Sequence, residues 1–247
     1  MVAGSAGFAV VSLRNMTVSY RRHPALHHIS GGFEAGSLTA VVGPNGSGKS
    51  TLLKSIMGLV PVEGGRACGA LQVKPPPGRI AYLPQLAEID RSFPIDVRDC
   101  VLLGCWAAAG AWGGVNRAML GRIDNALAAV GLDGFARRPI ASLSSGQLQR
   151  VLFARLMVQD AELILLDEPF TGVDVKTEDA IIILLRDLRD EGRVMLVSTH
   201  NLGSVPEFCD RTVLLRNTVL AYGPTPETFT QENLTLAFGG VLRHFVL

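Results

Sequence analysis

The octapeptide Gly43-Pro44-Asn45-Gly46-Ser47-Gly48-Lys49-Ser50 constrains this chain more than any other stretch, because its G-x-x-x-x-G-K-[ST] pattern needs a strand before it and a helix after it. Both flanks comply. Residues 37–42 form an apolar run of strand length, and 51–57, beginning at Thr51, repeat apolar residues at helical spacing. The loop therefore opens a helix N-terminus, a place suited to anions. Its glycines let successive backbone N–H groups curl around the α- and β-phosphates of a nucleoside triphosphate. Lys49 then reaches the β- and γ-phosphates, and the Ser50 hydroxyl suits Mg²⁺.

A phosphate loop does not by itself separate a kinase, a GTPase, a helicase and a transport motor. The pentapeptide Leu143-Ser144-Ser145-Gly146-Gln147 is more specific. After it, residues 146–159 read as a helix rich in Leu, Val, Phe and Ala, and Leu163-Ile164-Leu165-Leu166-Asp167-Glu168 reads as a buried strand ending in two carboxylates. Phosphate loop, LSSGQ and a strand ending Asp-Glu, in that order, resemble the ATP-binding-cassette ATPases.

The resemblance implies a P-loop NTPase fold of α/β class: a mostly parallel sheet core, an antiparallel β subdomain and an inserted helical subdomain. It also implies ATP hydrolysis with Mg²⁺, in a homodimer whose two subunits share each active site. Ser144, Gly146 and Gln147 would then serve the ATP held by the opposite subunit, with Ser144 and Gly146 meeting its γ-phosphate. The commonest family form has glycine where this chain has Ser145. Asp167 would hold Mg²⁺ and Glu168 would act as general base on the attacking water. Gln85, in Ala81-Tyr82-Leu83-Pro84-Gln85, is similar to the family's glutamine loop, which touches Mg²⁺ and the water. Thr171-Gly172-Val173-Asp174 is similar to the short loop that lines the dimer seam, and His200 resembles the histidine that contacts the γ-phosphate. Tyr20 is placed like the aromatic that stacks on adenine. Read from the residues alone, His200 is equally a structural strand-end histidine and Tyr20 an ordinary strand tyrosine.

Composition agrees with one cassette over residues 1–247. A chain of this length buries a sizeable core, and its net charge of +1 with no Lys/Arg run gives no basic surface for nucleic acid. Cys68, Cys100, Cys105 and Cys209 form no C-x-x-C pair and read as small buried thiols. No leader pattern is expected at the N-terminus, and the longest apolar stretch, 100–115, falls short of the ~20 residues that a membrane helix needs. Residues up to about 73 read as strand-rich. The stretch from about 95 to 159 turns helical, with segments at 97–106, 117–130 and 146–159. Strand 163–166, helix 176–190 and strands 194–199, 212–216 and 219–222 follow, an alternation that argues for a parallel sheet.

Residues 90–104, after Gln85, resemble the corresponding segment of importers of manganese, zinc and chelated iron. Residues 201–210 and 232–244 are similar to the same group, whereas 106–116 offer no useful comparison. The resemblance implies an energy-coupling subunit on the cytoplasmic face of the membrane. Its partners would be integral-membrane permease subunits and, indirectly, an extracytoplasmic binding protein. An importer of another solute, or an exporter, shares the same catalytic motifs. Phe93, beside Pro94, is either an anchor for the permease or an aromatic packed inside the helical region. His23, His27, His28 and His244 do not read as a metal site, since adjacent strand residues such as His27 and His28 point to opposite faces. A GTPase is excluded by the lack of an N-K-x-D motif. A chromosome-maintenance ATPase is excluded by the lack of a long heptad repeat between the two halves of the site.

Overall fold

Runs of β-branched and aliphatic residues build the central layer. The computed structural model describes residues 9–20, 23–60, 70–106 and 114–239. In chain order the strands are β1 (Ala9–Tyr20), β2 (His23–Glu34), β3 (Ser37–Val42), β4 (Ala70–Val73), β5 (Ile80–Leu83), β6 (Leu163–Asp167), β7 (Val194–Thr199), β8 (Arg211–Leu215) and β9 (Val219–Pro224). They form two sheets. Strands β2-β1-β4 make an antiparallel sheet, and β5-β6-β7-β3-β8-β9 a larger one in which only β9 runs antiparallel to its neighbour.

Strands buried on both faces have no polar side, which is why β3, β6 and β7 read as unbroken apolar runs. The period of two still divides their side chains between two cores. Leu38, Ala40, Ile164, Leu166, Met195 and Val197 face one core, and Val41, Leu163, Leu165, Val194 and Leu196 face the other. The second core also takes Leu52, Leu53 and Ile56 of the helix Lys49–Met57, together with Val11, Val18, Leu26 and Phe33 of the antiparallel sheet. That helix is therefore packed between the two sheets.

The first core extends into a layer of helices. Val97–Leu102, Arg117–Ala129 and Ser145–Gln159 pack on one another through Val97, Val101, Ile123, Leu127, Val151 and Phe153. The segment before the first of these is anchored by backbone bonds, Val97 N–H to Arg138 O at 2.9 Å and Ile140 N–H to Ile95 O at 3.1 Å. Residues 97–106 are helical as read, in two forms: the α-helix runs to Leu102 and tightens into a 3₁₀ turn over Leu103–Cys105. Within that turn Gly104 lies so close to the helix Ser145–Gln159 that a Cβ there would sit 2.2 Å from the Arg155 carbonyl oxygen.

The β1–β2 hairpin departs from regular alternation as well. Its register slips between Leu13 and Met16, and Asn15 and His28 both take left-handed backbone angles, with φ of 52° and 53°. His28 Nδ1 pairs with Asn15 Oδ1 at 2.6 Å. Adjacent His27 and His28 therefore do not follow the opposite-face rule, and their rings lie 6.4 Å apart. Among the described residues no group of three or more His, Cys, Asp or Glu is arranged to hold a metal ion. Cys68, His244, the side chain of His23 and most of the tract 106–116 lie outside the described residues. Cys100, Cys105 and Cys209 are buried free thiols. Among the described residues no helix is long and apolar enough to cross a membrane.

Candidate active site

Parallel pairing brings the carboxyl ends of β5, β6, β7 and β3 to one edge of the sheet, in the register Leu83 to Leu166, Asp167 to Ser198 and Thr199 to Val42. The segments that follow these four strands carry Gln85, Glu168, His200 and the phosphate loop. They meet around a cleft of about 460 Å³ lined by Ala25, Asn45, Gly46, Gly48, Lys49, Ser50, Thr51, Gln85, Glu168 and His200. Sequence positions separated by more than half the chain thus face one another.

The loop's conformation depends on two glycines for different reasons. A Cβ on Gly43 would lie 2.1 Å from the Leu215 carbonyl oxygen of β8, so the close approach excludes any side chain. Gly48 takes φ of 98° at the N-cap of the helix Lys49–Met57, where no side chain caps the first turn. That leaves the first amides of the helix directed at the cleft, a ready anion site. Lys49 is only 5% exposed, and its Nζ donates to Gly43 O at 2.9 Å and Pro44 O at 3.2 Å. Burial pulls its pKa below the ordinary lysine value, against the opposing influence of the Glu168 and Asp167 charges.

The two acids occupy different environments. Asp167 is fully buried, and its Oδ1 accepts from Ser198 Oγ at 2.5 Å while Oδ2 accepts from the Tyr82 hydroxyl at 3.4 Å. Glu168 turns off the strand with φ of 50°, and its N–H is shared between the Ser198 carbonyl at 3.1 Å and the Ser198 hydroxyl at 3.0 Å. Its carboxylate points at the cleft, where Oε2 lies 3.4 Å from His200 Nδ1 and accepts from Thr171 Oγ1 at 3.5 Å. Gln85 closes the remaining side, with Nε2 donating to Ser50 Oγ at 3.4 Å.

Four predicted residues, Ser144, Gly146, Gln147 and Asp174, stand apart from this cleft. Ser144 is the N-cap of the helix Ser145–Gln159: its Oγ accepts from Gln147 N–H at 3.2 Å, and its own N–H donates to Gln147 Oε1 at 3.0 Å. Gly146 sits in the first turn between them. Asp174 caps the helix Val175–Asp190, accepting from Thr177 N–H at 3.0 Å and Thr177 Oγ1 at 2.9 Å, bonds that lower its pKa. None of these four lines the cleft that holds Lys49. The side chain of Tyr20 lies outside the described residues.

Sequence reading missed three supporting residues. Ser198 links both acids, and its signal was one hydroxyl inside an apolar buried strand. Gln149, only 1% exposed, holds the carbonyl of Pro169, next to Glu168, through Nε2 at 2.7 Å. Asn217, at φ of 60° in the β8–β9 turn, donates its N–H to Ser47 O at 2.8 Å and its amide Nδ2 to Ala25 O at 2.8 Å. An asparagine in a hairpin turn carries no hint that it braces a phosphate loop.

Against known proteins, the family model described as ABC transporter matches residues 26–171, more than half of the chain. The chain belongs to the ABC transporter family. This ABC cassette is 49% identical to the chelated iron transport system membrane protein YfeB of Yersinia pestis, over 94% of this chain and 80% of that protein. It is 45% identical to the manganese transport system ATP-binding protein MntA of Synechocystis sp., over 94% of this chain and 90% of that one. It is 41% identical to the zinc transport system ATP-binding protein TroB of Treponema pallidum, over 96% and 89% of the two chains. Among solved structures, a chain of an ABC transporter in an inward-facing conformation superposes with a TM-score of 0.81 at 29% identity, covering 94% of this chain and 89% of that one. A nucleotide-free ATP-binding cassette, at 22% identity and a TM-score of 0.74 over 93% and 95% of the chains, shares the fold.

Proposed function

We propose that this ABC cassette hydrolyses ATP to drive import of a divalent transition metal, whether manganese, zinc or chelated iron, through a permease in the cytoplasmic membrane. The observation that carries the catalytic part is the convergence of Lys49, Ser50, Gln85, Glu168 and His200, from four separate strand ends, on one cleft. The cargo rests on the relatives, whose names speak of chelated iron, manganese and zinc. Residues 1–247 act as one cassette with a helical subdomain over about 95–159, a reading supported by the mutual packing of the three helices there.

The loop amides from Gly43 to Thr51 and Lys49 bind the triphosphate, and Tyr20 stacks on adenine. The donor types beside them fit Mg²⁺: the Ser50 hydroxyl and the Gln85 amide line the cleft 3.4 Å apart, and the Asp167 carboxylate, buried at the end of β6, would add a charged hard oxygen. Bound there, Mg²⁺ would neutralise charge on the β- and γ-phosphates. Glu168 accepts the proton of the attacking water. His200, set against Glu168 Oε2, presents its other ring nitrogen to the γ-phosphate. Ser144, Gly146, Gln147 and Asp174 lie away from their own chain's cleft, which supports their serving the ATP of a second copy across a dimer seam. The helix start at Ser144 leaves amides free for that phosphate.

Phe93 is 58% exposed, which favours the permease anchor over the packed alternative, and Leu103 and Trp106 are exposed beyond it at 50% and 68%. The extracytoplasmic binding protein enters only through the permease. The test is metal uptake by cells in which this chain is replaced by Glu168→Gln. Removal of a positioned base predicts a loss of turnover on the order of 10² to 10⁴. Uptake of labelled manganese, iron or zinc should stop while ATP binding persists. Full uptake of all three in that strain would overturn the reading.

A further inference from the structure

Ser145 is where this chain departs from the commonest form of its family's pentapeptide, and the catalytic reading gives its hydroxyl no task. The neighbouring side chains are occupied, since Ser144 and Gln147 cap each other. Ser145 Oγ instead accepts a hydrogen bond from Arg91 Nη2 at 3.1 Å. Arg91 sits in a turn closed by Asp90, whose Oδ1 accepts from Ser92 N–H at 2.9 Å and Ser92 Oγ at 2.6 Å.

The other end of the same short segment is tied to the nucleotide-binding helix. Gln85 reaches Ser50, and Glu88 accepts from Lys54 Nζ at 2.7 Å. Residues 85–92 are thus strung between the helix that opens at the phosphate loop and the helix that opens at the pentapeptide. Elsewhere the segment and the pentapeptide face each other across a cleft of about 650 Å³ lined by Leu86, Ile89, Arg91, Ser145, Thr171 and Gly172. Among the described residues, Arg91 to Ser145 is the hydrogen bond that spans them.

We propose that Arg91 and Ser145 form a latch that holds the pentapeptide where the ATP of a second copy meets it. Arg91 is a positioning residue: it acts on Ser144 and Gly146 through Ser145. This rests on the shared-site reading above, and adds that the pentapeptide is held from residues 85–92 as well as from its own helix. The latch is read from a non-additive response of the two residues, as expected of a direct pair.

The experiment uses the full chain carrying Glu168→Gln, with ATP-dependent dimerisation followed by sedimentation. Ser145→Gly and Arg91→Ala should each weaken dimerisation about three- to tenfold, and the double variant should be no weaker than the worse single one. Arg91→Lys, which keeps one donor and the charge, should recover part of the loss. Binding of a fluorescent ATP analogue to the diluted monomer should stay at its original affinity, because Ser145 does not line its own chain's cleft. Additive losses, an unaltered single variant, or a matching loss of monomer ATP affinity would each overturn the latch while leaving the shared site standing. Absence of any ATP-dependent dimer in Glu168→Gln itself would overturn the shared-site reading, and the latch with it.

Discussion

Replacing Ser198 by alanine should separate the two acids of the active site from their common support. In the wild type one hydroxyl donates to Asp167 Oδ1 at 2.5 Å and accepts from the Glu168 N–H at 3.0 Å. The two bonds do not weigh equally. Glu168 N–H keeps the Ser198 carbonyl at 3.1 Å, so its loss is small. Asp167 is fully buried and, among the described residues, is left with the longer hydrogen bond from Tyr82 and the charge of Lys49, so it loses a charge-assisted bond worth about 1.5 to 3 kcal/mol. For a chain of this size each kcal/mol moves the melting temperature by about 2 to 4 °C, which predicts a drop of roughly 3 to 12 °C. If the same energy is lost in the transition state, kcat falls roughly ten- to 150-fold. Differential scanning fluorimetry and steady-state ATPase assays measure both, and Ser198→Thr, which keeps the hydroxyl, should restore most of each. An alanine variant with wild-type melting temperature and wild-type kcat would refute the idea that this hydroxyl organises the acids.

Three further outcomes are expected. Gly43→Ala should abolish ATP binding by titration, because its Cβ would meet Leu215 O at 2.1 Å; Gly46→Ala, with nothing within 4 Å and only φ of 79° to strain it, should cost about 1 to 2 kcal/mol and keep measurable binding. Phe93→Ala should leave basal ATPase and melting temperature unchanged while stopping metal uptake by the assembled transporter, and normal uptake at matched expression would remove Phe93 from the coupling surface. Asp160 has its pKa lowered chiefly by the hydrogen bond from Arg193, so its contribution to stability is present above the unfolded-state value and is lost as pH falls through the lowered one. Asp160→Asn, which tolerates the left-handed φ of 51° at that position, should therefore lower the melting temperature at neutral pH and flatten its decline in acid, as a scan from pH 7 to 3 would show.

Legibility in the sequence followed how local each signal was. The runs that became β3, β6 and β7 announce themselves because strands buried on both faces carry no polar interruption. The phosphate loop announces itself because Gly46 and Gly48 answer left-handed backbone angles set within its eight residues, although Gly43 makes room for Leu215 far downstream. The β1–β2 hairpin was less readable: its alternation is broken by bulges at Asn15 and His28, where residues other than glycine adopt left-handed angles. The need for glycine at position 104 comes from the backbone of Arg155, fifty-one positions away, and no short window on the sequence contains both. The same distance hid the partnerships of Ser198 with Asp167, Asn217 with Ala25, and Arg91 with Ser145.

The strand order carries a consequence for biosynthesis. β3, which launches the phosphate loop, is flanked in the sheet by β7 and β8, and both are encoded far downstream of it. At translation speeds of 5 to 20 residues per second, the roughly 150 residues between Val42 and Thr199 take on the order of 10 to 30 s to appear. Throughout that interval the nascent chain exposes a strand of Leu, Val and Ala with both edges bare, an invitation to pair with another nascent copy. Chaperone engagement should accordingly peak after the ribosome passes β3 and subside once β8 has left the exit tunnel, so this cassette completes its nucleotide site only after β7 and β8 have both been made.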